Sequence, residues 1–350
     1  MVRSLHRPCL TAIVLALSSV PSFASAPDGA IKDLAFETSF FMLHSAYRNV
    51  SNHNREMAPD GAWGPVNRAW DASHSGKWYI EEQRYASDLI VGGIARSNTD
   101  AIDRGLLALK WGFAQQKSDG GFDCPDTFHS TSFFVEAAAR SLLLLEASDY
   151  AARYRQTITG MKPKVLAAAR WMMIPQIETR GKKGNGPYTH RRYLVAAALG
   201  ETGILTHDSV LIKHSEEYAR DGIALQSEAG YNPERGGWDS SYNAVGLLFA
   251  CHYYVLVADE GLKPALYKML DKGMRWEADR VNDEGGVQTE GNTRVGGAIT
   301  EKGRSGKEKT VAVGQVYRAF YYWSVISGDG SYDKLARKVA QKANQWHEPK

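Results

Sequence analysis

Cysteine is almost missing from this 350-residue chain, which has only Cys9, Cys124 and Cys251. So few cysteines exclude a scaffold built on disulfides, although one bridge between Cys124 and Cys251 is allowed in an oxidising compartment. Several chemistry-bearing patterns are missing as well. No Walker sequence, strand–glycine–helix unit, HExxH, acidic calcium loop or Gly-x-Ser-x-Gly occurs, so nucleotide-binding, metalloprotease and serine-hydrolase readings have no support. His129 and His252 have no Cys or His at ligand spacing, and neither a metal nor a cofactor is expected. Without an Asp-x-Asp-Asp run, terpene-cyclase chemistry is not expected either. Charge of one sign is also lacking. The formal net charge is +3, so nucleic acid is not an expected partner, and attraction for any polyanion must come from local clustering.

What is present begins with residues 1–26. Arginines precede an apolar core from Leu10 to Leu17, and the small-residue end Ala24-Ser25-Ala26 follows. This is the three-part pattern of a secretory signal, and the apolar run is far shorter than the roughly 20 residues a membrane span needs. Cleavage after Ala26 is expected, leaving a single domain over 27–350 that is periplasmic or secreted, monomeric and free of membrane contact. It removes two arginines and no acids, so 40 basic residues face 39 acids and the formal charge falls to +1.

Pro and Gly concentrate between long apolar-periodic stretches, and strand alternation is nearly absent. The periodicity predicts helices near 33–49, 81–95, 99–116, 130–147, 161–174, 189–204, 208–225, 241–258, 263–280, 310–326 and 332–346. Glycine loops recur as GAWG at 61, GGFD at 120, GNGPY at 184, GGWD at 236 and GGVQ at 285, a spacing of about 50 to 60 residues that signals stacked helical hairpins. Helices after these loops are apolar nearly all round, whereas those before them carry charge on one face. The expected fold is all-α, an incomplete (α/α) toroid of six outer and five inner helices, with a solenoid of the same hairpins as the alternative. In a toroid the loops that lead into the inner helices gather around one cleft, where a rigid scaffold carries function.

Those loops are rich in polar and aromatic residues. The first has Trp63, Asn67, Arg68, Trp70 and His74; the second has Asp123, Asp126 and His129; the third has Asn185, Tyr188, Thr189, His190, Arg191 and Arg192; the fourth has Glu234, Arg235, Trp238, Asp239, Tyr242 and Asn243. Trp63, Trp70 and Trp238 lie in glycine-containing loops, where an aromatic can stack on a sugar ring or simply belong to the core. The fifth loop carries Arg294, Lys302, Arg304, Lys307 and Lys309, either a lid that recruits an anionic chain or a solvated segment.

Thr189-His190 at the head of an inner helix, Arg235 45 residues after His190, and Tyr242 seven residues further on resemble the family-five alginate lyases. Those enzymes carry a neighbouring Asn-His pair, then an Arg, then a Tyr seven residues after it, on an incomplete α/α toroid. The motif covers about 60 residues, and related toroidal glucuronan lyases use the same residue types. The resemblance implies β-elimination from a uronate-containing polysaccharide, with Tyr242, His190 and Arg235 as catalytic residues. His129, Tyr188, Thr189, Arg192, Trp238, Asn243, Trp63 and Arg68 are the candidates for substrate binding. Thr189 stands where the family has Asn, which leaves Asn243, Asn185 or Arg192 to neutralise the substrate carboxylate.

The chemistry explains the residue types. Removing the C5 proton of a uronate requires neutralisation of the adjacent carboxylate, which an Arg fork provides, together with a base and an acid, which Tyr and His provide. Each residue also has a structural reading: His190 as a helix cap, Arg235 paired with Glu234 or Asp239, and Tyr242 opening a buried helix. Rival functions are an inverting glycoside hydrolase using a pair from Asp123, Asp126, Glu234 and Asp239, and a glycan-binding protein without catalysis.

Overall fold

The computed structural model describes residues 27–43, 57–63, 78–297, 300–302 and 308–347. Over them the protein is all-α, with isolated β-bridges and no strand among the described residues. The helices are α1 (Asp28–Leu43), α2 (Ala86–Ala95), α3 (Thr99–Ala114), α4 (Thr127–Glu146), α5 (Ala151–Met172), α6 (Pro175–Asn185), α7 (His190–Thr206), α8 (Ser209–Leu225), α9 (Ser240–Leu256), α10 (Lys263–Ala278), α11 (Val313–Ser327) and α12 (Gly330–His347), with a 3-10 helix, Ile80–Tyr85, before α2. The expected signal segment 1–26, and Asn67, Arg68, Trp70, His74, Arg304 and Lys307, lie outside the described residues.

Five helices follow one another as neighbours, α2 on α4, α4 on α7, α7 on α9 and α9 on α11. Each is backed by a second helix: α3 on α2, α5 on α4, α8 on α7, α10 on α9 and α12 on α11. The burial follows the sequence pattern. Helices α4, α7 and α9 are buried on nearly every side, whereas α8 and α10 bury one face. Close packing of α7 and α9 depends on Gly246, where a Cβ would sit 3.1 Å from the His190 Cα.

Three expectations need correction. Helix α1 is not an outer helix, because it packs against α2, α4, α9 and α11 and carries two fully buried acids, Asp33 and Glu37. Arg140 of α4 donates to Asp33 Oδ2 at 2.8 Å and Glu37 Oε1 at 2.6 Å. Arg318 of α11 also binds Glu37, and the Tyr322 hydroxyl joins both acids at 2.9 and 2.6 Å. Helix α5 starts ten residues before the predicted 161, because Gly160 and Pro163 lie inside it; a proline at that point reads in sequence as a first turn. Helix α6 occupies a stretch expected to be loop, with Pro175 in its first turn.

The glycine repeat is real, but its members differ from those expected. Turns at 58–62, 117–121, 227–231 and 282–286 share one backbone pattern, in which the first amide donates to the fifth carbonyl and the fourth amide to the first carbonyl. The third residue after the start is Gly61, Gly120, Gly230 or Gly285, each at positive φ. A Cβ there would lie 2.4 to 2.6 Å from a carbonyl oxygen of the backing helix. The glutamine before two of these turns, Gln116 or Gln226, donates both to the turn glycine carbonyl and to that helix. The turn at Gly230 therefore takes the place of GGWD, a separate turn that follows it, and GNGPY at 184 does not share the pattern.

Gly230→Ala is accordingly expected to destabilise the fold by about 1–3 kcal/mol, from backbone strain added to a collision with Lys272. Gly236→Ala, whose Cβ would meet nothing within 4 Å at φ +82, should lose only the backbone part, roughly 1 kcal/mol. Denaturant unfolding of both variants checks the difference.

Candidate functional site

A cleft of about 730 Å³ opens where α4, α7 and α9 begin. His129 in the first turn of α4, His190 and Arg191 at the start of α7, and Tyr242 in the first turn of α9 line its mouth. Glu136 and Arg140 of α4, His252 of α9 and Arg318 of α11 line it more deeply. Glu81, Glu82, Arg84 and Asp88 form a side wall.

The head of α7 is built from a distant loop. Thr189 gives that helix no side-chain cap. Instead Glu234 Oε1 accepts the His190 backbone amide at 3.0 Å and lies 2.8 Å from the ring Nδ1. A carboxylate at a helix N-terminus satisfies a free amide and faces the positive end of the dipole. Burial pushes the Glu234 carboxyl up, to about 7, against the pull of Arg294. Burial, followed by the cations Arg294 and Arg191, holds His190 well below the usual imidazole range, so its ring is neutral near pH 7. With Glu234 ionised, the Nδ1 proton points at the carboxylate and Nε2 is left as the acceptor.

Beside this dyad, the Tyr242 ring centroid is 4.9 Å from that of His190. Its amide is held by the α9 cap, Asp239 Oδ1, at 3.0 Å. The Arg294 guanidinium carbon lies 3.4 Å from the ring centroid, and Lys309 Nζ donates to the phenol oxygen at 3.0 Å. Negative charge forming on that oxygen therefore has two cations at hand. Glu301 fixes them in place. It pairs with Arg294 at 3.0 Å, Lys309 at 2.8 Å and Arg235 at 2.9 Å, and hydrogen bonds from Arg294 and Lys309 outweigh burial to hold its carboxyl down to about 2.

Arg235 does not pair with Glu234 or Asp239. Its Nε and Nη2 donate to the Tyr188 hydroxyl at 3.1 Å, and it is half exposed. It sits at φ +52 and Asp126 at φ +47, a region that costs a side chain of order 1–3 kcal/mol and gathers at functional sites. Asp126 lines the cleft, and Arg235 contacts Tyr188 and Glu301 beside it. Tyr188 stacks beside Arg191 and Arg294, 4.4 and 4.5 Å from its centroid.

His190, Tyr242, Arg235, Tyr188 and His129 thus come together, while five other candidates point elsewhere. Trp63 is buried, its amide bonded to Gln83. The Thr189 hydroxyl is buried and donates to the Pro233 carbonyl. Arg192 serves Asp221 and the carbonyls of Asn185 and Tyr188. Asn243 is fully buried between Asn232 and Glu277. Trp238 packs against Arg280 and Tyr231. Asn185, an alternative neutraliser, accepts from Arg191.

The sequence reading missed the roles of Arg191, Arg294, Glu301 and Lys309. Arg294 falls in the segment read as either a lid or a solvated stretch, yet it is tied down: the amides of Arg294 and Val295 both donate to Asp239 Oδ2 at 2.9 Å, and Arg294 is buried between Glu234 and Glu301. The only sequence signal for this was a basic, Gly-rich loop; nothing in it indicated pairing with two acids.

If His190 acts as a base, activity should rise with pH through about 7, as Glu234 ionises and accepts the Nδ1 proton. A pH–rate profile without an ionisation near 7 would contradict the role of the dyad.

No protein-family model and no curated protein matches the chain. Among solved structures, a protein from Actinoplanes is similar at 14% identity and a TM-score of 0.49, over 87% of this chain and 81% of that one.

Proposed function

We propose that the protein is a polysaccharide lyase that cleaves a uronate-containing polymer, alginate- or glucuronan-like, by β-elimination. The observation that carries this reading is the neutral His190 beside Tyr242, with Glu234 orienting the imidazole and Lys309 and Arg294 facing the phenol. The order of helix contacts supports an incomplete toroid, in which α1 would pack among the inner helices and the cleft would be the open end.

In this reading the substrate carboxylate meets Arg191. Arg191 lines the cleft, where its Nη1 donates to Asn185 and lies 3.6 Å from Asp126, and a guanidinium fork has donors for a further carboxylate. His190 Nε2 or Tyr242 takes the C5 proton, and the Tyr242 hydroxyl returns one to the leaving oxygen. Arg235, bound to Glu301 and Tyr188, is a positioning residue. Lys302 and Lys309 on the cleft wall draw in the anionic chain. An exported location follows from the signal pattern and suits such a substrate.

The hydrolase alternative fits less well. Of its four loop acids, Asp239 caps α9, Glu234 serves His190 and Arg294, and Asp123 lies outside the cleft lining. Only Asp126 faces the cleft.

Arg191→Ala is expected to lower kcat/KM on a uronate polymer by about 10²–10³-fold, as loss of a charge-stabilising donor does. Arg191→Lys should lose less than that and Arg235→Ala less again. A larger loss in Arg235→Ala would return the carboxylate to Arg235. Steady-state kinetics of the three variants decides this.

A further inference from the structure

Below the candidate site, Glu136 of α4, Glu201 of α7 and His252 of α9 each bring one donor atom to within 4.8 Å of the others. Their relative exposures are 7%, 0% and 3%. His252 Nδ1 lies 3.2 Å from Glu136 Oε1. Both oxygens of Glu201, and His252 Nε2, are buried without a hydrogen-bond partner. A buried carboxylate with neither oxygen satisfied is costly unless something else meets it.

Charge points the same way. Asp33, Glu37, Glu136 and Glu201 are all buried around the floor, against the buried guanidiniums of Arg140 and Arg318. The ion pairs satisfy Asp33 and Glu37, which leaves Glu136 and Glu201 without an arginine partner among the described ion pairs. One divalent cation balances them.

We propose that Glu136, Glu201 and His252 bind a divalent first-row transition-metal cation that ties α4, α7 and α9 together at the floor of the cleft. A nitrogen and two carboxylates suit zinc or manganese better than magnesium or calcium, which favour all-oxygen sites. Such ions hold these ligands at about 2.0–2.2 Å, so atoms already this close need only small side-chain adjustments. Glu136 and His252 also line the cleft, which gives the ion a path in. Sequence spacing gave no hint, since each ligand comes from a different helix.

The test uses the full chain, stripped with a chelator and then titrated with Zn²⁺ or Mn²⁺ and, in parallel, Mg²⁺ or Ca²⁺. Calorimetry should find one Zn²⁺ or Mn²⁺ per chain, with a saturable rise in Tm and a weaker response to Mg²⁺ and Ca²⁺. Glu201→Gln should lower that affinity by at least about 100-fold. The metal-free variant should melt no lower than the stripped wild type, because the amide keeps the shape of a side chain that has no hydrogen-bond partner to lose. Absence of stoichiometric binding by the wild type, or undiminished binding by Glu201→Gln, would overturn the proposal. His252→Gln provides the same comparison should Glu201→Gln not fold. None of these readouts involves turnover, so the outcome is independent of the lyase reading.

Discussion

Replacing Tyr242 by Phe is expected to lower turnover of a uronate-containing polymer by about 10²–10⁴-fold, the range that a positioned acid–base group contributes. The substitution removes one hydroxyl, the atom that Lys309 reaches at 3.0 Å. The ring would remain between Arg294 and His190, where its packing depends on its faces and not on its oxygen. The amide would still be held by Asp239. Folding should therefore survive, with unfolding midpoints close to the wild type, and the loss should appear in kcat more than in KM. A variant that keeps full kcat would make Tyr242 a packing residue at the head of α9 and remove the proposed proton donor.

The second large effect concerns stability. Arg140→Leu is expected to cost about 3–5 kcal/mol, the usual consequence of leaving buried charges without their partner. Arg140 joins α4 to α1 through Asp33 and Glu37 and reaches the Tyr322 hydroxyl of α11 at 2.6 Å. Arg318 can still neutralise Glu37, but Asp33 has no other cation among its described ion pairs. By contrast, Lys162→Ala breaks the partly exposed pair with Glu146 and should cost under about 1 kcal/mol. Denaturant unfolding of the two variants under the same buffer gives the comparison. Equal costs would mean that the α1 cluster adds little to holding that helix against α2, α4, α9 and α11.

The helical architecture was largely legible because burial leaves a periodic trace: α4, α7 and α9 read as apolar all round, and α8 and α10 as one-sided. Helix α1 escaped because its inward face carries Asp33 and Glu37, which look like solvent-facing residues until Arg140 and Arg318 are brought to them. The repeat was legible in kind but not in register. GGWD resembles GGFD in letters, whereas the turn that packs on a backing helix uses Gly230. In the site, His190 and Tyr242 sit at helix starts a short distance apart in the fold, so their spacing carried real information. Lys309 meets Tyr242, and Glu301 meets Lys309, only through the course of the fifth loop, which leaves no periodicity to read. Asn243 shows the opposite failure: a polar residue beside Tyr242 in sequence turns to the far side of α9, because adjacent helical positions do not share a face.

The central claim is the type of bond cleavage. The most direct measurement incubates the purified protein with alginate and with glucuronan, following ultraviolet absorbance and reducing ends in the same samples. Elimination leaves an unsaturated ring, so on the cleaved polymer the absorbance should rise in step with new ends, and neither should rise for Tyr242→Phe. New reducing ends without ultraviolet absorbance would identify hydrolysis and contradict the account.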